Sequence, residues 1–359
     1  MAESKDKPKS ANAGTSRSRW IGLLLKYVVP AVISVGLCWL LFTGIDFGEM
    51  IDIIRSECDF TFIAIALALS VVSHVFRAMR WGLQLRALDV PTPFFPLLLS
   101  IFGTYAVNLV FPRLGEVWRT GYIAQRQRAP FATVFGSMVA DRLADVLTVV
   151  LITLATFIIA AGPLTSYLAG NRESYDKMVG LLSSPWIWGS LAVIVLLFVW
   201  LFTSSTANGV VIRIRETVRG LWQGFATVFT MPHRGLWLML TVCLWGCYFV
   251  QMWIAFYAFP FTASVVAQHG VTAVLVTFVM SSIMTGVPSN GGIGPWQWAV
   301  IFALGIYGMG RTESGAFANV VLGSQTLLLI ALGIFTFAAI ALEKRKARKG
   351  NNRQNIIRE

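Results

Sequence analysis

The sequence predicts an all-α polytopic membrane protein, an inverted repeat of helix, helix, re-entrant element and helix with about six full spans plus two re-entrant elements. Three observations carry this reading. Of 359 residues, 56% are hydrophobic and 13% charged, with a mean hydropathy of +0.68, whereas a soluble domain carries about 25% charged residues. A single core cannot hide that much apolar side chain, so lipid must be the solvent for most of the chain. Lys and Arg cluster in short segments between apolar runs, as cytoplasmic loops do. Two short apolar runs, finally, are broken by Pro and Gly at corresponding places in the two halves. Eight or nine ordinary spans with proline kinks are the alternative arrangement.

Taken in order, residues 1–19 are polar and charged and read as a disordered tail. The run 20–42 exceeds a signal-peptide core, has no small-residue cleavage site, and reads as the first span. Loop 43–59 carries Asp46, Glu49, Asp52, Glu57 and Asp59 against Arg55 alone and reads as external. Further apolar runs lie at 60–83, 94–111, 131–162, 186–203, 235–259, 271–287, 295–309 and 317–342. All are expected to be helical, because irregular backbone cannot face lipid. Segment 204–234, with Arg213, Arg215 and Arg219 beside Ile212, Ile214, Leu221 and Phe225, reads as an amphipathic interfacial helix.

Five segments, 1–19, 77–90, 113–130, 203–235 and 343–359, hold 23 of the 29 Lys and Arg residues and are placed in the cytoplasm, together with both termini. The run 94–111 then has cytoplasmic segments on both sides, so it must enter and return, with Pro112 and Gly115 breaking its backbone. By the same parity, 271–287 and 295–309 enter and leave on the external side around the stretch from Gly286 to Pro295. The membrane domain thus covers 20–342, with repeat one at about 20–162 and repeat two at about 186–342. Inverted repeats with interrupted short segments are the signature of secondary transporters, and the breaks point to the substrate site.

The first break reads Asn108-Leu-Val-Phe-Pro-Arg113-Leu-Gly-Glu116-Val-Trp-Arg119. Glu116 and Arg119, three residues apart, can pair as structural glue; alternatively Arg113 and Arg119 flank freed amide groups and present guanidinium forks to a phosphate. A second cluster, Asp141-Arg142-Leu-Ala-Asp145, shares a helical stripe with Ser137 and Thr148. At membrane depth such residues are functional by default, and at the interface they merely cap and snorkel. Ser70, Ser73, His74, Arg77 and Arg80 lie on one face at the end of the second apolar run; the arginines are expected to snorkel to headgroups, and His74 to bond a neighbouring helix. The second break offers Pro288, Ser289, Asn290, Gly291 and Gly292, a Gly-rich stretch without a P-loop lysine, which argues against nucleotide binding.

Other chemistry finds little support. Four dispersed cysteines make no disulfide framework, and Cys243 and Cys247 have no histidine near them in sequence to share a metal. No H-E-x-x-H, G-x-S-x-G or Rossmann fingerprint is present. The net charge of +12 reads as topology and contact with anionic lipid, so nucleic acid is not an expected partner.

The stretch from Asn108 to Arg119, followed by Asp141-Arg142-Leu-Ala-Asp145 and by Gly286-Val-Pro-Ser-Asn-Gly-Gly-Ile-Gly294, resembles the flippase-like family named for the transmembrane region of lysylphosphatidylglycerol synthases. The likeness runs from about residue 20 to 342 and implies translocation of a lipid with a charged headgroup between leaflets. It also implies partners such as a lipid-modifying synthase or a glycosyltransferase, and anionic or polyprenyl-linked lipids. The likeness is to the transmembrane region, and no aminoacyl-transfer domain is expected after the basic tail, so the resemblance is not expected to carry synthase activity with it. The expected function is therefore a translocase of the cell (inner or cytoplasmic) membrane. Its headgroup site would be formed by Asn108, Arg113, Glu116, Arg119, Asp141, Arg142, Asp145, Pro288, Ser289, Asn290, Gly291 and Gly292, and no cofactor is expected. An integral membrane enzyme acting on lipid-linked phosphate or sugar, and a membrane subunit of a lipid or glycan synthase, are the rival readings. On the leading one, Glu116→Gln and Asp145→Asn should abolish function with insertion intact.

Overall fold

The computed structural model describes residues 46–159, 231–287 and 289–356, with side chains up to 346, and isolated positions between 184 and 209. The expected spans 20–42 and 186–203, the amphipathic segment 204–234 apart from its last residues, and Pro288 lie outside the described residues. Among those described, every regular element is a helix: α1 (Phe47–Glu57), α2 (Phe60–Ala87), α3 (Phe94–Val110), α4 (Leu114–Gln127), α5 (Phe131–Ile159), α6 (Arg234–Phe256), α7 (Pro260–His269), α8 (Val271–Met284), α9 (Pro295–Ile306) and α10 (Arg311–Ile356).

Four of these, α2, α5, α6 and α10, are long and apolar enough to cross a membrane. Their exposed faces show why lipid must solvate them. On α5, Val150, Leu151, Leu154, Phe157 and Ile158 all point outward, as do Leu327, Ile330, Ile334 and Phe335 on α10. Water would penalise each such side chain by about 1.5–3 kcal/mol relative to burial. A fifth crossing is formed if α7 and α8, bent by 113° at Gly270, are counted as one broken span.

Two expectations need correction here. The acidic stretch 43–59 is mostly helix, not loop, because Asp46 and Asp59 act as N-caps. Asp46 accepts from the amides of Gly48 and Glu49 at 2.8 and 3.1 Å, and Asp59 from that of Thr61 at 2.8 Å. A capping carboxylate satisfies amides that a helix start leaves unpaired; counted only as loop charge, those aspartates hide a helix. Segment 113–130 is likewise not a basic loop. It is α4, folded back along α3 as a hairpin, with contacts between Gly103 and Trp118, Thr104 and Gly115, and Asn108 and Glu116 marking the antiparallel register. The basic stretch after 342 also continues α10 as helix to Ile356.

α8 and α9 form a second pair of short helices packed on each other around the Gly-rich break. The two breaks touch. Arg113 Nη2 donates to the Gly286 carbonyl at 2.5 Å, and Leu109 lies against Gly291 so closely that a Cβ there would strike it. α2 is the hub: it packs most extensively on α6 and also meets α3, α5 and α10. Its buried face therefore sees side chains from both halves of the chain, and the charged site is built on it.

Candidate functional site: a buried arginine and carboxylate cluster

On α2 the residues Ser70, Ser73, His74, Arg77, Arg80 and Gln84 follow the helical repeat along one face, and all are buried. Opposite stands the stripe of α5, with Ser137, Asp141 and Asp145 also buried. The two stripes interlock. Arg80 donates from Nε and Nη2 to Asp141 Oδ1 at 3.0 and 2.7 Å, and from Nη2 to Asp145 Oδ1 at 2.7 Å. Arg77 Nη1 lies 2.7 Å from Asp145 Oδ2 and 3.5 Å from Asp141 Oδ2. Trp81 donates to Ser137 at 3.1 Å.

The expectation that Arg77 and Arg80 snorkel is thus overturned. Their side chains are 4% and 0% exposed, so neither reaches a headgroup region on its own. A charged pair removed from both water and lipid needs close partners with the remaining donors satisfied. α6 supplies these: Tyr248 Oη accepts from Arg77 Nε and Nη2 at 3.4 and 3.3 Å, and Thr241 Oγ1 from Arg80 Nη1 at 3.5 Å. Sequence reasoning missed all four residues as site members. The available signal was two arginines on the same face as His74, matched by two aspartates one turn apart on another apolar helix.

α4 brings the first motif to this cluster. Arg119 is fully buried, stacks its guanidinium over the Trp81 ring at 4.4 Å, and reaches Asp141 Oδ2 at 3.5 Å. Glu116 does not pair with Arg119 as intrahelical glue. It accepts from Arg142 Nη2 at 2.7 Å and from Asn108 Nδ2 at 3.1 Å, while Asn108 Oδ1 accepts from the Gly115 amide at 2.8 Å. The longer reach to Arg142 wins because α5 lies against α4 and presents that guanidinium directly. Arg142, with its side chain 31% exposed, and Glu116, at 12%, form the accessible edge of a cluster whose floor is sealed.

Of the predicted site residues, Asn108, Glu116, Arg119, Asp141, Arg142 and Asp145 therefore form one connected network. Arg113 does not join it; it is exposed, held in a left-handed conformation at φ 65°, and spans to the second hairpin. Ser289, Asn290, Gly291 and Gly292 are half-buried at the second break and reach the first break through Gly291 and Leu109, not the charged cluster. His74 makes no hydrogen bond to a neighbouring helix: neither ring nitrogen has a partner, and the ring is held between Tyr105, at 4.7 Å, and Phe102, at 6.0 Å. Extended from Ser70, a chain of side-chain amides adds Gln325 and Gln251, at 2.9 and 3.2 Å, from the second half. Neither glutamine was singled out by pattern.

The charge count within the network is uneven. Among the described residues, Arg77, Arg80, Arg119 and Arg142 face only Glu116, Asp141 and Asp145. One positive charge is left over, and the unpaired guanidinium atoms fall on two of the four arginines: among the described residues Arg119 Nε and Nη1 are buried with no hydrogen-bond partner, as is Arg142 Nε. An arginine in that state is costly, and a phosphate oxygen is its best geometric complement. Metal chemistry has no such support, since no cluster of three His, Cys, Asp or Glu side chains suited to a metal exists among the described residues. Outside the spans, Cys58 lies between α1 and α2 with its thiol pushed up to about 11 by burial and by Asp59, which makes it a weak nucleophile.

A model of the family described as the lysylphosphatidylglycerol synthase TM region matches residues 27–333. Glycosyltransferase AglD of Haloferax volcanii is 33% identical over 129 residues, which cover 36% of this chain and 19% of that protein. The similarity thus takes in about a fifth of that relative's length. No solved structure matches.

Proposed function

This chain belongs to the family of the lysylphosphatidylglycerol synthase TM region, and from that membership together with the charged cluster we propose that it translocates a lipid with a phosphate-containing, net anionic headgroup between leaflets. The observation that carries the reading is the surplus positive charge of the cluster at Arg119, whose two unpartnered nitrogens, Nε and Nη1, sit in a buried network open at Glu116 and Arg142. A phosphate entering at that edge would fill the vacant donors, with acyl chains left in lipid along the apolar faces. The distribution of Lys and Arg along the sequence supports a position of the cluster toward the cytoplasmic side, and on the re-entrant reading the headgroup would pass where the breaks of the two hairpins meet. No covalent step is required, so the chain acts as a transporter without catalysis.

Membrane potential sets the energetics of such a cargo. One elementary charge across ~100 mV is worth about 2.3 kcal/mol, so an anionic lipid moves outward favourably from a negative interior. Inward movement needs a compensating cation or proton.

The test is leaflet exchange of labelled lipids in vesicles reconstituted with the full chain, comparing zwitterionic, anionic, aminoacylated and polyprenyl-phosphate headgroups. Exchange of an anionic lipid by the wild type, reduced at least about tenfold in Arg119→Ala, is the expected result. Folded wild-type protein that exchanges none of them, with and without an imposed potential, would refute the proposal. The partial similarity to a glycosyltransferase supports a second reading, a membrane subunit serving an enzyme of polyprenyl-linked substrates. In that case activity would depend on the partner being present.

A further inference from the structure

Resting on the translocase reading above, the way Arg142 is held shows how the cluster captures and releases a headgroup. Three of the four arginines are sealed. Arg77 and Arg80 each meet two carboxylates, with side chains 4% and 0% exposed, and Arg119, also at 0%, reaches Asp141. Of the four, Arg142 alone is accessible, at 31%, so an incoming phosphate meets it first. Arg142 is held by one short contact, from Nη2 to Glu116 Oε1 at 2.7 Å, with Asp145 farther off at 3.8 Å.

That contact uses half of what each partner offers. A guanidinium edge presents two parallel N–H groups and a carboxylate two oxygens, and the strong form of the pair engages both. Here Nε, beside Nη2 on the same edge, is buried and has no hydrogen-bond partner among the described residues. The second oxygen of Glu116 does not take it, because Oε2 accepts from Asn108 Nδ2 at 3.1 Å, and Asn108 is itself fixed by accepting from the Gly115 amide. Glu116 is therefore a one-pronged partner anchored on α4. A phosphate has the oxygens to engage Nε and Nη2 together, which is the stronger form of the contact. The exchange also sets up its own reversal. Glu116, 12% exposed, is left with Asn108 and without its counter-charge, and an unpaired carboxylate withdrawn from water is unfavourable. Arg119, one turn on, is turned toward Asp141 and Trp81, and Arg113 toward the Gly286 carbonyl, so neither stands in for Arg142.

We infer that Arg142 is the capturing arm of the site and Glu116 its tethered competitor: the headgroup phosphate binds by taking Arg142 from Glu116, and it is released when Glu116 takes Arg142 back. Glu116 thus weakens binding and makes turnover possible, since a cargo must be held loosely enough to leave. One anion replaces another on the same guanidinium, and no bond is made or broken.

Binding and exchange should therefore move in opposite directions. Phosphatidylglycerol, a singly anionic phosphodiester lipid, is titrated onto the full-length protein in detergent and followed by native mass spectrometry, and its leaflet exchange is measured with the same variants in vesicles. Glu116→Gln should bind it about fivefold to tenfold tighter than the wild type, as expected for removing one competing charged contact, while exchange falls at least about tenfold. Glu116→Asp, which keeps the anion, should bring both values back toward the wild type. Glu343→Gln removes the same charge at the exposed pair with Arg126 and should leave both unchanged, which separates the competitor from a general effect of net charge. Arg142→Lys keeps the charge but loses the two-pronged edge and should bind about fivefold to tenfold weaker; it carries the test should Glu116→Gln not fold. Unchanged or weaker binding by Glu116→Gln, exchange retained by it, wild-type binding by Arg142→Lys, equal tightening by Glu343→Gln, or no binding by any form would overturn the inference. The two proposals fail separately. Exchange by the wild type with no tightening in Glu116→Gln leaves translocation standing without this device, and the expected order of binding without exchange of any lipid does the reverse.

Discussion

Between Phe94 and Gln127 the first hairpin carries Arg113, Glu116, Arg119 and Arg126, whereas between Val271 and Ile306 the second carries no charged residue at all. The first break is three residues long and locked: Asn108 clamps the Gly115 amide and Glu116 together. The second is ten residues long, with Gly291, Gly292 and Gly294 at positive φ. At its far end Gln297 accepts from the Gly294 amide and donates to Asn319 of α10. Two elements in corresponding places have thus been given different physical jobs. The first holds charge in a fixed geometry. The second supplies adaptable backbone against which the first closes, through Arg113 and Leu109.

If recognition rests on the charged side alone, the largest effect should come from its keystone. Asp141 is fully buried and lies within 3.5 Å of Arg77, Arg80 and Arg119. In Asp141→Asn three guanidiniums lose their shared carboxylate, and breaking a buried pair costs about 3–5 kcal/mol. Folded protein should largely disappear from fluorescence-detected size-exclusion profiles. Glu116→Gln removes a carboxylate at the open edge, where Arg142 retains partial exposure. It should keep a monodisperse peak while losing leaflet exchange. The same loss of folded protein in both variants would erase the proposed division between a structural floor and a working edge.

Glycines at the two breaks sharpen the contrast. A Cβ at Gly115 would overlap the backbone carbonyl oxygen of Thr104, which cannot move without parting α3 from α4. Gly115→Ala should therefore cost about 1–3 kcal/mol, the usual range for overpacking, read as a lowered melting temperature. At Gly291 the added methyl meets only the flexible tip of Leu109, and the residue sits at φ 63°. There the left-handed backbone is the main penalty, about 1–2 kcal/mol for a residue with a Cβ. Gly291→Ala should lower the melting temperature less than Gly115→Ala, and pairing it with Leu109→Ala should recover part of the loss. An equal or larger destabilisation at Gly291 would mean that the second break is as rigidly packed as the first.

The spans were legible because an 18-residue apolar stretch has few alternative fates, and both breaks were legible because Pro and Gly announce them. Asn108, Glu116, Arg119 and the Asp141 cluster could be singled out because ionisable side chains at membrane depth are expensive. Their partners could not. Arg77 and Arg80 sit near the end of an apolar run, where a snorkelling arginine and an ion-paired one have the same local sequence; only α5, 61 residues on along the chain, distinguishes them. Tyr248 and Gln325 come from the second half, 171 and 255 residues from their α2 partners. Nothing in local pattern links positions so distant. The N-caps at Asp46 and Asp59 were a different failure, because their local signal was present and was spent on topology.

The smallest effect expected is at the outer end of the first hairpin, where Arg126 on α4 pairs with Glu343 on α10 at 2.8 Å. Both side chains are more than a third exposed, so solvent screening leaves such a pair with ~0–1 kcal/mol at most. Arg126→Ala and Glu343→Ala should each change the melting temperature and the exchange rate only marginally, and the double variant should match the sum of the singles. A coupling above about 1 kcal/mol in that double-mutant cycle would show that α10 clamps the first hairpin from outside as well as through the close packing of Gly333 on Ala106. The first hairpin would then owe its rigidity to α10 and not to the Asn108 clamp, and the contrast with the second would lie in what surrounds the two breaks.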